Sequence, residues 1–309
     1  MKSYSIITLT LNPSLDKSTH FTGLVAEQKI RCEKPRYDAG GGGINVSKAV
    51  TKLGGSSLCI HTSGGSAGKM LEELIQKEGI ENKVIPTQNW TRENFIAFEN
   101  TTKAQYRFGF PGNALSKDEK EAVIKTIKEI NADYLVISGS LNEGLPSDFY
   151  QKIAETAKAL GIKVIVDTSG EPLRKVLEKG VYLIKPNIGE LAKLIGEERL
   201  ALPEVEKAAK ALIEKGSAEV VVVSLGAEGA ILVSKDVTEF VNAPKAETKS
   251  TVGAGDSMVG GMVWALSQNK TLKEVIQWGV SCGTAATMNE GTQLFKKEDA
   301  ERLFKQMQK

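Results

Sequence analysis

The sequence predicts an α/β protein: a central, mostly parallel sheet covered by helices on both faces, with a small separate β-sheet beside it. Three observations carry this. Short apolar runs rich in β-branched residues alternate with amphipathic stretches along much of the 309 residues, the pattern of parallel strands buried on both faces. Residues 17–38 show no helical period, and residues 94–110 read as a hairpin, so both interrupt that alternation. Helical patterns dominate from Ala254 onward.

Taken in order, Tyr4 to Leu11 reads as a buried strand. Further strands are expected at SLCIHT (57–62), DYLVISGS (133–140), KVIVDTS (163–169), VYLIKP (181–186) and EVVVVSLG (219–226). Helices are expected at GKMLEELIQKEG (68–79), DEKEAVIKTIKEIN (118–131) and DFYQKIAETAKALG (148–161). In NFIAFENTTKAQYRFGF (94–110) the polar TTKA separates two aromatic-rich strands. This hairpin and residues 17–38 do not fit a parallel sheet, so they are expected to form a lid. The chain then reads as one domain, 1–309, with the lid inserted as segments 17–38 and 94–110.

Composition excludes several classes. Lys and Arg number 40 against 38 Asp and Glu, so no global field points to nucleic acid or a membrane surface. No apolar run approaches the roughly 20 residues of a membrane span. The N-terminus lacks a signal peptide's apolar core and cleavage site. Three scattered cysteines indicate neither a disulfide framework nor a zinc site, which suits a reducing cytoplasm. Two histidines cannot build a histidine-rich metal centre.

Familiar motifs fail one by one. TSGGSAGKM (62–70) has Ser63 and Met70 where a P-loop needs Gly and Ser or Thr. DAGGGGINVSKAV (38–50) places Asn45 or Val46 at the third glycine of a dinucleotide fingerprint. No G-x-S-x-G is present.

Other stretches retain chemical content. In STVGAGDSMVGG (250–261), Asp256 follows Gly253, Ala254 and Gly255. It could simply cap a helix; alternatively, the small residues expose N–H groups to an anion at a helix start, with the carboxylate as a base beside it. Four glycines, Gly40 to Gly43, lose much chain entropy on ordering, which favours a platform for a small molecule over a plain turn. In KPNIGEL (185–191), Asn187 and Glu190 have capping-box spacing, which also places an amide and a carboxylate where a hydrated Mg²⁺ could be reached. SLGAEGA (224–230) reads as a strand-to-strand turn. Asp16 is expected to leave the first strand at its carboxyl end, where open α/β sheets bind ligands. Arg92 and Lys29 lie in or beside the lid as candidate phosphate clamps.

Taken together, TLTLNPSLD, GGGGINVSKA, NWTREN, VISGSL, KPNIGEL, VVVSLGAEGA, STVGAGDSMVGG and AATMNEGT resemble the ribokinase-like (PfkB) family of sugar kinases, in order and over nearly the whole chain. GGGGIN, WTREN and QYRF point to its phosphofructokinase branch, on the side of the minor 6-phosphofructokinases. LNPSLD is shared with 1-phosphofructokinases and tagatose-6-phosphate kinases. The resemblance implies a three-layer αβα sandwich with a β lid, and an ATP- and Mg²⁺-dependent kinase acting on the 1-hydroxyl of fructose 6-phosphate. The competing reading from another class is a sugar-phosphate sensor that kept the fold and lost turnover.

The resemblance also implies roles. Asp256 would take the hydroxyl proton, and Gly253, Ala254 and Gly255 would hold the moving phosphoryl group. Asp16, Gly40, Gly41, Gly42, Gly43, Asn45 and Ser140 would hold the sugar, with Arg92 and Lys29 on its phosphate. Asn187 and Glu190 would organise Mg²⁺ beside Lys185. Ser224, Gly226, Gly229, Val280 and Thr284 would wall the nucleotide. Carbonyls near Ser250, Val252, Ala286 and Asn289 would suit a monovalent cation such as K⁺. Gly189 stands where a basic residue can occur, which removes an auxiliary phosphate contact, and Glu290 and Gln293 do not diagnose the cation. Exposed apolar residues of the lid imply a homodimer. A base of ordinary or depressed pKa would suffice.

Overall fold

The computed structural model describes residues 3–289 and 293–308. The chain begins with β1 (Ser3–Thr10), β2 (Ser14–Phe21), β3 (Arg36–Gly40), α1 (Gly42–Lys52), β4 (Leu58–Ser63), α2 (Gly65–Lys77) and β5 (Glu81–Pro86). It then forms β6 (Arg92–Glu99) and β7 (Gln105–Phe108), and passes through α3 (Lys117–Lys128) to β8 (Asn131–Ser138). Alternation continues with α4 (Phe149–Ala159), β9 (Lys163–Asp167), α5 (Gly170–Leu177), β10 (Val181–Ile184), α6 (Ile188–Ile195), α7 (Leu202–Glu214) and β11 (Ala218–Ser224). Strands β12 (Ala230–Ser234) and β13 (Thr238–Val241) precede the helices α8 (Ala254–Ser267), α9 (Leu272–Thr287) and α10 (Lys297–Met307).

Nine strands make one sheet in the order β13-β12-β11-β10-β9-β8-β1-β4-β5. Pairings from β11 across to β5 are all parallel. The last two strands add antiparallel at one edge, a departure from uniform βα alternation that makes the sheet mixed. Strand order reverses between β1 and β8, and such a switch point opens a crevice at the strands' carboxyl ends.

Period-two alternation splits the core into two layers. Ile7, Leu9, Leu135, Ile137, Val221 and Val223 face one way, packing with residues of α3, α4, α5 and α7. Ile6, Val136, Val220 and Val222 face the other, packing with α1, α8, α9 and α10. The three-layer αβα sandwich follows directly from this parity.

The second sheet has the order β3-β2-β6-β7. β6 and β7 form the expected hairpin, and β2 pairs parallel with β6 from Ser14–Arg92 to Phe21–Glu99. Its boundaries differ from the expected 17–38 and 94–110. β2 begins at Ser14 and β6 at Arg92, so Asp16 sits on a strand of the small sheet and not in a loop leaving β1. Between Thr22 and Pro35 only Cys32 forms a bridge, to Phe21. Glu99, 3% exposed, braces the far end by accepting from the Gly23 N–H at 2.9 Å and the Thr102 hydroxyl at 2.7 Å. Those bonds hold its carboxyl down to about 2. Among the described residues no helix is long and apolar enough to cross a membrane.

Candidate active site

The switch point brings Asn12, just past β1, to Ser140, just past β8, and the Asn12 amide donates to the Ser140 hydroxyl at 3.2 Å. The glycine run threads between these ends. A Cβ on Gly42 would overlap the Ser138 hydroxyl, and one on Gly40 would overlap the Asp16 carboxylate. On Gly43 it would meet the Leu9 carbonyl at 2.7 Å. Packing against the protein's own chain therefore accounts for these three glycines, of which Gly40 and Gly43 are buried and Gly42 half-buried. Gly41 is the N-cap of α1 at φ 128° and has no side chain to offer; the Thr10 hydroxyl accepts instead from the Ile44 N–H in the first turn, at 3.0 Å.

α8 begins in the same way. Gly253 is its N-cap at φ 74°, again without a side-chain cap. Asp256 is the third residue of the helix and does not cap it. Instead its Oδ2 accepts from the Asn45 amide at 2.8 Å, tying the starts of α1 and α8 together. Two helix N-termini, each starting on a glycine, thus converge on one carboxylate, an arrangement suited to anions.

Asp256 has its pKa pushed up to about 6, first by burial and then by the charge of Asp167, against the lowering effects of Asn45 and Lys185. This corrects the expectation of an ordinary or depressed value. Lys185, 7% exposed, lies 3.3 Å from the Asp167 carboxylate. Burial alone would lower its pKa, but Asp167, then Asp256 and Glu190, outweigh that and raise it. One buried ammonium therefore serves three carboxylates.

Asn187 and Glu190 form the capping box in full, with both reciprocal bonds at 2.9 Å. The box uses Oε2 of Glu190, leaving Oε1 outside it. Both residues line a cleft of about 590 Å³, with Ser169, Glu171, Arg174 and Gly189 around them. Gly189 contributes no side chain there. Among the described residues no cluster of three or more His, Cys, Asp or Glu could hold a metal ion. One carboxylate oxygen beside an exposed amide fits a Mg²⁺ that keeps most of its water.

Ser224 reaches this cleft's edge, its N–H donating to the Pro186 carbonyl at 3.0 Å. Gly226 and Gly229 make the turn from β11 to β12 at φ 63° and 105°. On α9, Val280 is buried in the core and Thr284 is half-buried. The Lys249 and Ser250 N–H groups both donate to the Thr287 carbonyl, at 2.7 and 3.2 Å. That contact sets the segment of Ser250 and Val252 beside Ala286 and Asn289, and its main-chain oxygens are the donor type a monovalent cation takes. Glu290 lies outside the described residues.

Asp16 accepts from the Ser14 hydroxyl at 2.7 Å and the Asn94 amide at 2.9 Å, and burial pushes its pKa up. Arg92 faces it across the small sheet. Its Nη1 donates to the Phe110 carbonyl at 3.1 Å and its Nη2 to the Asn12 carbonyl at 3.2 Å, while its buried Nε has no hydrogen-bond partner among the described residues. Asn45 Oδ1 and Ser138 Oγ are likewise buried without partners, so unspent polar capacity collects around the crevice. Lys29 is not brought here. It is exposed beyond Phe21, past a strand that carries the chain roughly 20 Å from Ser14 at about 3.3 Å per residue. Three contributors escaped the sequence reading: Asn12, Asn94 and Asp167. Asp167 ends β9 as an acid at a strand's carboxyl terminus, the same signal that singled out Asp16.

A carboxylate between two helix N-termini that start on glycine, beside a buried ammonium and a polar crevice, is an arrangement suited to group transfer on an anionic small molecule. The chain belongs to the pfkB family of carbohydrate kinases, whose model matches residues 9–299. It is 40% identical over 301 residues to the ATP-dependent 6-phosphofructokinase isozyme 2 of Escherichia coli, covering 97% of each chain. It is 35% identical over 285 residues to a 1-phosphofructokinase of Borreliella burgdorferi, covering 92% of each. Its fold superimposes on Escherichia coli phosphofructokinase-2 crystallised with potassium, with a TM-score of 0.96, 40% identity, and coverage of 99% of this chain and 100% of that one. The fold is ribokinase-like, and the enzyme is a phosphotransferase with an alcohol group as acceptor.

Proposed function

We propose that the chain transfers the γ-phosphoryl group of ATP to the 1-hydroxyl of D-fructose 6-phosphate, giving fructose 1,6-bisphosphate, in the cytoplasm. The observation that carries this is the Asn45–Asp256 bond, which joins the glycine run of α1 to the carboxylate at the start of α8. Asp256 takes the hydroxyl proton while the sugar oxygen bonds to phosphorus and the bond to ADP breaks. A carboxylate near pKa 6 is a stronger base than a free one and is still ionised at neutral pH. Asn45 orients it. The N–H groups of Gly255 and its neighbours face the charge that spreads over the phosphoryl oxygens.

Asp16, Ser140 and the glycine run hold the sugar, and Arg92 meets its phosphate with two parallel donors once those now on Phe110 and Asn12 turn inward. Lys185 lies beside the nucleotide phosphates. Glu190 and Asn187 would hold the hydration shell of Mg²⁺, which would supply positive charge to the nucleotide phosphates. Ser250, Val252, Ala286 and Asn289 would hold K⁺ through main-chain oxygens. The small sheet acts as the lid of the one domain.

The Asp256→Asn variant tests the reading. Turnover should fall by about 10²–10⁴ with sugar affinity little changed. Near-normal turnover in a folded variant would leave Asp256 without a catalytic role.

A further inference from the structure

Lys48 is a charge that the chemistry above does not use. It lies on α1, 4% exposed, three residues beyond Asn45. Its amine donates to the Ala39 carbonyl at 2.8 Å and lies 2.9 Å from the Glu78 carboxylate. Burying an ammonium carries a desolvation cost that a well-packed apolar side chain does not, so its partners hold the reason for it. Ala39 is fully buried, one residue before the glycine run. It belongs to β3, the edge strand that pairs only with β2. Glu78 is the C-cap of α2, where a cation is also favoured by the helix dipole. One amine therefore ties the edge of the small sheet to two helices of the main body, directly behind Gly40.

That location has consequences for the acceptor site. Gly40 abuts the Asp16 carboxylate so closely that no Cβ fits between them. Gly41 and Gly42 then start α1, which carries Asn45 to Asp256. A shift of the Ala39 carbonyl moves Gly40 against Asp16 and turns the start of α1. Misplacements of about 1 Å made far from the chemistry can cost around 10²-fold.

We propose that Lys48 is a positioning residue for the sugar-phosphate site: it touches no substrate, and it sets the glycine run by holding the Ala39 carbonyl and Glu78 together. This rests on the acceptor site as assigned above, though not on which ketose phosphate fills it. The amine's partners, Ala39 and Glu78, lie outside the cleft of Asn187 and Glu190, so ATP affinity should respond far less than sugar-phosphate affinity.

The test measures calorimetric affinities of the full-length chain for ATP, and for whichever of fructose 6-phosphate and fructose 1-phosphate wild type binds more tightly. Lys48→Met should weaken the sugar phosphate tenfold or more and change ATP less than twofold. Lys48→Gln keeps a donor for Ala39 but loses the ion pair, and should weaken the sugar phosphate at least threefold with the same selectivity. Lys48→Arg, which can serve both acceptors, should recover most of the affinity. Where Lys48→Met does not fold, Lys48→Gln decides. Unchanged sugar-phosphate affinity, or an equal loss for both ligands, overturns the proposal. Wild type's choice between the two ketose phosphates tests the substrate reading separately.

Discussion

Asp256 and Asn45, 211 residues apart in sequence, meet through a single 2.8 Å bond, and two measurable consequences belong to that pair. With its pKa near 6, loss of turnover per encounter should appear as an acid limb: kcat/KM falls about tenfold per pH unit below about 6 and is flat toward neutrality. A limb near 4 would contradict the burial argument. The second consequence concerns stability. A raised folded pKa means the fold prefers the protonated carboxyl; that preference stabilises fully below the ordinary 3.8 and is lost as pH rises through about 6. Asp256→Asn, neutral at every pH, should therefore melt above wild type at pH 8 and close to it at pH 3.5, if calorimetry follows the linkage. Arg92→Ala should weaken a phosphorylated sugar by about 2–5 kcal/mol, the usual cost of truncating one partner of a desolvated charge pair, and ATP far less; equal losses would deny it the phosphate. At this scale Asp256, Asn45, Asp16 and Arg92 were legible because their types are unusual beside glycine or a strand end. Asp167 and Asn94 were not, since each fell within an expected strand, Asp167 in KVIVDTS and Asn94 at the start of the hairpin, where nothing marks it as more than a strand residue.

At the scale of elements, the glycines of STVGAGDSMVGG divide by purpose. Gly253 and Gly255 open the start of α8, whereas Gly260 and Gly261 let helices touch. A Cβ on Gly260 would overlap that of Ala49 on α1, and one on Gly261 would lie 2.6 Å from the Trp278 carbonyl on α9. Gly260→Leu should cost at least about 1–3 kcal/mol by overpacking, visible as a lowered denaturant midpoint; an unchanged midpoint would mean that α1 and α8 part easily. The sequence could not separate the two purposes, because the second depends on which helix lies opposite. Strand and helix periods located the parallel core and the hairpin of the small sheet well. The strand-to-strand turn read at SLGAEGA implied a strand where β12 lies without naming it, while β13 and the edge strand β5 were missed, since their mixed burial blurs alternation. The box of Asn187 and Glu190 was legible as a cap and is one; the proposed service to Mg²⁺ would use the same two side chains.

For the whole molecule, two sheets meet at the one place where strand order reverses, and their junction makes the site. The small sheet leaves Phe108, Phe110, Leu24 and Val25 about half exposed or more, an apolar surface that a monomer covers poorly. We therefore expect a homodimer formed through this sheet; sedimentation of a monomer at micromolar concentration with substrate present would contradict it. The central claim, a kinase for a ketose that already carries phosphate, is tested most directly by ADP release across fructose 6-phosphate, fructose 1-phosphate, tagatose 6-phosphate, free fructose and ribose. The account predicts the highest kcat/KM for fructose 6-phosphate and a poor rate with free fructose, which gives Arg92 nothing to hold. A preference for free fructose or ribose would contradict the phosphate clamp, and a preference for fructose 1-phosphate would require the sugar to bind the other way round.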